Sequence, residues 1–207
     1  MTLRALHRSS AFVIAAFVSL HIANHLASLA GIPLHISFME DARKIYRYPL
    51  VEVALLFCVA IQVASGLWFV VRGWNRRRER VGRLQAASGA VLALFLSVHV
   101  GAVLYGRHVL NLDTNFYFAA AGFHVSPYEY FFGPYYFLAV LALFTHIGCA
   151  IYRGLEAASV LVRALAIALP ILIGGVVSAL IVLSLAGKLR PVEVPIQYKA
   201  TFKHQNG

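Results

Sequence analysis

The sequence predicts an all-α integral membrane protein with five transmembrane helices. Of its 207 residues, 60% are hydrophobic and only 13% are charged, and the mean hydropathy is +0.75. Soluble globular domains carry about a quarter charged residues, so this balance indicates that lipid surrounds the chain. A helix that crosses the bilayer needs about 20 apolar residues, and the chain has five such runs between charged or Pro- and Gly-containing breaks.

The five predicted spans belong to one domain, residues 1–207. They cover residues 10–30, 50–71, 86–106, 134–153 and 164–187. The first run follows Arg4 and Arg8, as the apolar core of a secretion signal would. It is longer than a usual signal core, however, and it contains His21, Asn24 and His25. We therefore expect it to be retained as the first helix.

Two connections and a tail complete the predicted architecture. The segment 39–48 mixes charged and apolar residues, which suits a short interfacial helix on the outer face. The connection 107–133 is rich in aromatic residues. Such a connection forms either a belt at the headgroup level or a loop folded over the helix ends. Residues 188–207 form the C-terminal tail.

The basic residues predict the orientation. A net charge of +10 suggests nucleic acid in a soluble protein, but here the basic residues lie in the connections, which indicates membrane lipid and not nucleic acid as the partner. Six arginines crowd the second connection: Arg72, Arg76, Arg77, Arg78, Arg80 and Arg83. Positively charged loops stay in the cytoplasm, so we expect an N-in/C-out, multi-pass protein of the inner (cytoplasmic) membrane.

Two helices look like copies of one unit. Residues 10–21 align without a gap on residues 88–99. The matched pairs are Phe17 with Phe95, Ser19 with Ser97, and His21 with His99. This similarity predicts that the first and third spanning helices are an internal repeat. Because both run in the same direction, His21 and His99 should lie at the same depth and face each other.

Four histidines fall inside the predicted spans. They are His21, His25, His99 and His146; His7, His35, His108, His124 and His204 are expected in loops or tails. Ionisable residues within a membrane usually face the bundle interior and serve a function. Imidazole is a standard ligand of haem iron, and two histidines from facing helices can hold a porphyrin in a bundle core. The alternative is that each histidine only forms hydrogen bonds between helices.

These features resemble a known family. The stretch His7-Arg8-Ser9-Ser10 leads to His21, the stretch Gln85 to His99 is followed after Val100 by Gly-Ala-Val-Leu, and His146 lies on the fourth helix. In this, residues 1–155 resemble the cytochrome b membrane anchors of succinate dehydrogenases and fumarate reductases, most closely the single-chain five-helix kind. The resemblance implies one haem held by the first and third helices, and a second held by the second and fourth.

Carried over by position, His21 and His99 would ligate one haem b. His146 matches the fourth-helix ligand, but its partner on the second helix is missing because Gln62 is the nearest polar residue there. The second site could therefore hold no haem, a haem bound by His146 and an unusual ligand, or a haem whose other ligand is His25. His25 lies one turn from His21, so it could also replace His21 or bond to a propionate.

Four further residues are candidates for cofactor binding. The resemblance implies that Arg8 and Ser10, near a helix end, contact quinone or haem propionates; anchoring of the helix start is the alternative. On the outer side, Arg107 and His108 are candidates for the same contacts.

The predicted function is electron transfer. The chain would be a b-type cytochrome that relays electrons between quinone and a partner redox subunit. It has no Gly-rich dinucleotide motif and no cysteine cluster, so soluble flavin or iron–sulfur subunits would supply any dehydrogenase chemistry. One alternative is a self-contained membrane haem oxidoreductase acting on a small diffusible substrate. Another is a cofactor-free transporter or membrane structural subunit.

Two further sequence patterns each allow more than one interpretation. His21 and His25 have the spacing H-x-x-x-H, which would suit a non-haem metalloenzyme only if further histidine motifs joined it. The fifth helix carries Gly174, Gly175 and Ser178. Such small residues suit packing against a second copy, as in a homo-oligomer, or against the protein's own bundle.

Overall fold

The computed structural model describes residues 2–73 and 79–202. These residues form eight α-helices and one short 3-10 helix, Ala121–His124. The α-helices are α1 (Leu3–Ala27), α2 (Ile32–Tyr46), α3 (Pro49–Gly73), α4 (Arg80–His108), α5 (Phe116–Ala120), α6 (Glu129–Gly154), α7 (Val160–Leu185) and α8 (Ile196–Ala200). The five long helices α1, α3, α4, α6 and α7 are long and apolar enough to cross a membrane. The prediction of a multi-pass, all-helical chain is confirmed.

The helices extend beyond the apolar runs. α1 begins at Leu3 rather than at residue 10, because Thr2 caps it by accepting a hydrogen bond from the Ala5 amide at 3.2 Å. Hydropathy detects only the part of a helix that lies in hydrocarbon, whereas the backbone bonds continue into the interface. As a consequence, His7 lies inside α1 and His35 lies inside α2, although both were expected in loops.

The spanning helices pack in chain order around a common interior. α1 packs against α3, α3 against α4, α4 against α6 and α6 against α7, and α7 returns to α1. Short connections favour such neighbour packing. α2, the counterpart of the predicted interfacial helix, packs against α1 and α3. This arrangement leaves α1 and α4 on opposite sides of α3, so their inner faces meet across the interior.

The outer surface of the bundle is apolar. Phe12 is 77% exposed, Leu50 74% and Leu172 65%, as expected of side chains that contact lipid. Polar side chains of the spans bond back to their own helix; Ser19 Oγ donates to the Ala15 carbonyl at 2.8 Å and Ser178 Oγ to the Gly174 carbonyl at 2.6 Å. Such bonds satisfy hydroxyl groups where water is absent.

The aromatic connection folds over one end of the bundle. It contains α5 and the 3-10 helix, which pack with the end of α7 and with α8. The buried residues of this cluster are Phe116, Ala120, Ala121, Ile181, Leu185, Val194 and Tyr198. His124 joins it, since its Nε2 lies 3.0 Å from the Leu185 carbonyl oxygen. The connection therefore closes the end of the interior at which α1 and α4 finish.

Candidate cofactor-binding sites

Four histidines meet near the closed end of the bundle. We call His21, His25, His35 and His99 the four-histidine cluster. The ring centres of His21 and His25 are 4.7 Å apart, those of His25 and His35 are 5.3 Å apart, and those of His21 and His99 are 6.1 Å apart. The predicted contact of His21 with His99 is thus present, while His35 was not predicted. Its helix could have been found from Pro33, which lies in the first turn of α2.

Aromatic rings hold His21 and His99 in matching ways. Phe17, one turn before His21, stacks on it with a 5.7 Å centre distance and a 16° interplanar angle. Phe95, one turn before His99, stacks on it at 4.9 Å and 14°. Residues four apart share a helix face, which brings each pair together. The similar segments of α1 and α4 therefore present their histidines in the same local setting.

His35 is buried and uncharged. It is 2% exposed, and its Nε2 lies 3.3 Å from the amide Nδ2 of Asn24. Burial, together with the nearby charges of His21 and Arg43, lowers the pKa of His35 to about 4. At neutral pH the ring is therefore neutral. The Asn24 amide donates to Nε2, which leaves the hydrogen of His35 on Nδ1.

Several polar atoms of the cluster have no partner. Asn24 Oδ1, His25 Nδ1 and His35 Nδ1 are buried and form no hydrogen bond. A buried polar atom without a partner costs about 1–3 kcal/mol, so groups of this kind usually mark a bound ligand or water. The atoms include both an acceptor and a donor. They would suit a ligand that has both kinds of group.

Arg43 places a guanidinium with two unpaired nitrogens beside the cluster. Its Nη1 forms an ion pair with Asp113 at 2.7 Å, while its Nε and Nη2 are buried without a partner. The charge lies within electrostatic range of His35. Two free N–H groups of a guanidinium match the two oxygens of a carboxylate. The end of the cluster nearest Arg43 therefore suits an anionic group.

The spacing of His21 and His99 is compatible with two ligands of one metal ion. Within residues 2–73 and 79–202, no three His, Cys, Asp or Glu side chains are grouped so that they could hold a metal ion. Metal–imidazole bonds are about 2 Å long, which places the ring centres of two ligands on opposite sides of one metal roughly 6 Å apart. The 6.1 Å separation of His21 and His99 fits this requirement.

His146 lies in a separate polar region. Its Nδ1 is 3.1 Å from the Gln85 carbonyl oxygen and 3.2 Å from Ser88 Oγ, both in the first turns of α4. Ser10 also lies at this end, 4% exposed, where it accepts a hydrogen bond from Gln62 Nε2 at 2.8 Å. Arg8 is exposed. His146, Ser10 and Arg8 are thus at the opposite end of the bundle from the four-histidine cluster.

Arg107 and His108 are paired with their neighbours. Arg107 Nη2 lies 2.5 Å from Glu52 Oε1, and Arg107 Nε donates to His108 Nε2 at 3.1 Å. Both residues are in the last turn of α4, and His108 is exposed. Of the basic side chains at this end, Arg43 has unpaired N–H groups close to the histidines. Arg43 was not among the residues predicted from the sequence, and the proposed cofactor contacts of Arg107 and His108 stay a prediction.

No protein-family model, curated protein or solved structure matches the chain. The class that the fold and the site define is a multi-pass, all-helical membrane protein with histidines grouped in its interior. The resemblance to dehydrogenase membrane anchors stays a prediction.

Proposed function

We propose that the protein is a membrane b-type cytochrome that relays electrons between the quinone pool and a partner redox subunit. The observation that carries the proposal is the 6.1 Å separation of the His21 and His99 rings, which come from two spanning helices. A porphyrin brings four nitrogen ligands of its own, so two histidines complete the coordination. When bound, haem supplies a centre that carries one electron at a time.

Each residue of the cluster has a role in this proposal. His21 and His99 would bind the iron, and Phe17 and Phe95 would hold their imidazole rings in place. His25, one turn from His21 and with its Nδ1 unpaired, either hydrogen-bonds to the bound group or takes the place of His21 as ligand. Arg43 pairs with a propionate through its free N–H groups.

Quinone would meet the polar atoms beside the histidines. His35 Nδ1–H is a donor for a quinone carbonyl oxygen, and Asn24 Oδ1 is an acceptor for a quinol hydroxyl. The cavity next to His21 and Asn24 has a volume of about 10 Å³, which is the space of about one water molecule. We therefore expect the interior to open when a porphyrin or quinone binds.

A flavin or iron–sulfur partner subunit is proposed because this sequence has no motif for either cofactor. It contains two cysteines, Cys58 and Cys149, on different helices, and both are free. A dinucleotide fingerprint is also missing from the sequence. Flavin and iron–sulfur chemistry therefore belongs to other subunits. The N-in/C-out orientation, the inner-membrane location and the repeat of α1 in α4 are parts of the same proposal.

The test is a visible spectrum of the detergent-purified protein, air-oxidised and dithionite-reduced, with pyridine haemochrome per chain. We expect a sharp reduced α-band of b type that His99→Ala loses. His124→Gln is the matched control, because glutamine keeps a donor for the Leu185 carbonyl while removing an imidazole outside the cluster. A colourless wild-type protein would refute the cytochrome and leave a cofactor-free transporter or structural subunit.

A second candidate is a self-contained haem oxidoreductase. The unpaired atoms of Arg43, His35 and Asn24 favour it, since they also suit a small diffusible anion with hydroxyl or carbonyl groups. The purified single chain separates the two functions. Reduction of a quinone analogue by a soluble donor without any partner subunit would favour this candidate, and a requirement for added flavin or iron–sulfur subunits would favour the relay.

A further inference from the structure

The junction of α6 and α7 carries an arginine whose guanidinium has no acceptor. Arg163 lies at the start of α7, and its Nε is buried without a hydrogen-bond partner. Among residues 2–73 and 79–202, no acidic side chain forms an ion pair with it. A buried donor that lacks an acceptor is destabilising, so an atom of this kind usually marks a bound ligand or water.

Tyr152 positions the Arg163 guanidinium in the junction. Cζ of Arg163 lies over the Tyr152 ring, 4.2 Å from its centre. The two helices pack closely here, because a Cβ at Gly148, one turn before Tyr152, would lie 3.1 Å from the Ala166 carbonyl oxygen. Arginine stacks on an aromatic ring through its flat face, whereas its N–H groups point outward in the guanidinium plane. The contact with Tyr152 therefore leaves the N–H groups of Arg163 for an anion.

The surroundings of Arg163 are positively charged. Arg153, next to Tyr152, is exposed, and the first turn of α7 contains no acidic residue. The start of a helix carries a partial positive charge, which also favours an anion. Glu156, in the connection between the two helices, is exposed and forms no ion pair within the described part of the chain. The junction therefore offers two guanidinium groups that no carboxylate neutralises.

The neighbouring side chains indicate that the anion belongs to a lipid. Val160 is 85% exposed, Leu161 67% and Ile151 45%, and these apolar residues flank Arg163 and Tyr152 in the sequence. Arginine and tyrosine at the end of a spanning helix lie at the level of the lipid headgroups. A phospholipid has acyl chains for the apolar side chains and a phosphate for the guanidinium, whereas a soluble acidic protein matches only the charge.

We propose that Tyr152, Arg153 and Arg163, which we call the arginine site, bind the headgroup of an anionic phospholipid. Two N–H groups of Arg163 match two oxygens of the phosphate, and Arg153 adds a second positive charge. Basic pockets between spanning helices are a general mode of anionic-lipid recognition. The arginine site does not depend on the proposed function, because it needs neither haem nor quinone.

The test uses the purified full-length protein, stripped of lipid in neutral maltoside micelles. Phosphatidylglycerol and phosphatidylcholine with identical acyl chains are added separately in about 0.5 M salt, which screens exposed charges, and bound lipid is counted by native mass spectrometry. We expect the wild type to bind phosphatidylglycerol about tenfold more tightly, and Arg163→Gln to lose this preference. Arg80→Gln is the matched control: it removes one exposed arginine at the same end of the bundle and should keep the preference.

Three further variants separate lipid binding from a purely structural role. Arg163→Lys keeps the charge but lacks the two parallel donors, so it should lose most of the preference. Tyr152→Leu should weaken binding because it removes the ring beneath the guanidinium, whereas Tyr152→Phe keeps the ring and should retain binding. The two Tyr152 variants also decide the question if Arg163→Gln does not yield folded protein.

The outcomes that would overturn the arginine site are distinct. Equal loss of the preference in Arg163→Gln and Arg80→Gln would reduce the effect to net charge. Displacement of phosphatidylglycerol by excess inorganic phosphate would assign the site to the free ion. Equal binding of the two lipids by the wild type would leave an acidic protein surface as the partner of these arginines. None of these results affects the haem spectrum, so the proposed function is tested separately.

Discussion

The amide Nδ2 of Asn24 lies 3.3 Å from His35 Nε2, and this contact joins α2 to α1 at the four-histidine cluster. An amide nitrogen can only donate, so Nε2 must be the unprotonated nitrogen. Protonation of the ring would remove this acceptor and place a positive charge within range of Arg43 and His21. The contact is thus stable only while His35 is neutral.

The first prediction concerns pH. Burial lowers the pKa of His35 to about 4, whereas the unfolded side chain titrates near 6.5. Between pH 6.5 and pH 4 the unfolded state therefore binds more protons than the folded state. The contribution of neutral His35 to the free energy of unfolding is complete above pH 6.5 and is lost as the pH falls toward 4, by about 3 kcal/mol in total. His35→Gln keeps an acceptor for Asn24 and should show a smaller decline. The measurement is the thermal midpoint in detergent from pH 7.5 to 4.5; equal declines in both proteins would contradict the prediction.

The second prediction concerns Arg43. Arg43→Met should weaken haem retention about tenfold to a hundredfold, since a hydrogen bond to a charged group contributes about 1.5–3 kcal/mol. The substitution also breaks the ion pair with Asp113, so Asp113→Asn is the matched control: it removes the ion pair but keeps the guanidinium. Competition with a haem-scavenging protein measures retention. Equal losses in the two variants would assign the effect to the ion pair and exclude a propionate contact.

The sequence predicts the five spanning helices and only part of the four-histidine cluster. Hydropathy is sufficient to predict the five spans because each needs a long apolar run. The similarity of residues 10–21 to residues 88–99 is sufficient to predict that His21 lies close to His99. His7 and His35 were missed because each lies where polar residues interrupt the apolar pattern, although the helix continues through it. The partner of His7 is Ser65, 58 positions away, and only helix packing brings such residues together.

The third prediction uses neighbouring glycines of α7. A Cβ at Gly174 would lie 2.6 Å from Phe144 Cβ, whereas a Cβ at Gly175 meets nothing within 4 Å. Gly174→Ala should therefore separate α6 from α7 and lower the free energy of unfolding by about 1–3 kcal/mol. Gly175→Ala should be neutral or slightly stabilising, because alanine favours the helix. Unfolding in mixed micelles measures both.

The variants Gly174→Ala and Gly175→Ala also test whether α7 contacts a second copy of the protein. Gly174 and the fully buried Ser178 pack within the bundle, so Gly175 is the residue of this group with space for contact with a second copy. If Gly175→Ala destabilised the protein as much as Gly174→Ala, the open side would be in a contact, and a change of oligomeric state in detergent should accompany the loss.

The last prediction concerns the ion pair of Glu52 with Arg107, whose side chains are 26% and 21% exposed. Removal of one partner leaves a half-buried charge, so Glu52→Gln and Arg107→Gln should each cost about 1–2 kcal/mol, and the double variant less than their sum. Unfolding of the three variants measures the coupling. Haem retention tests the other role of Arg107: if it binds a propionate, Arg107→Gln should lose haem while Glu52→Gln retains it. We expect both variants to retain haem, because the Arg107 guanidinium is already paired with Glu52.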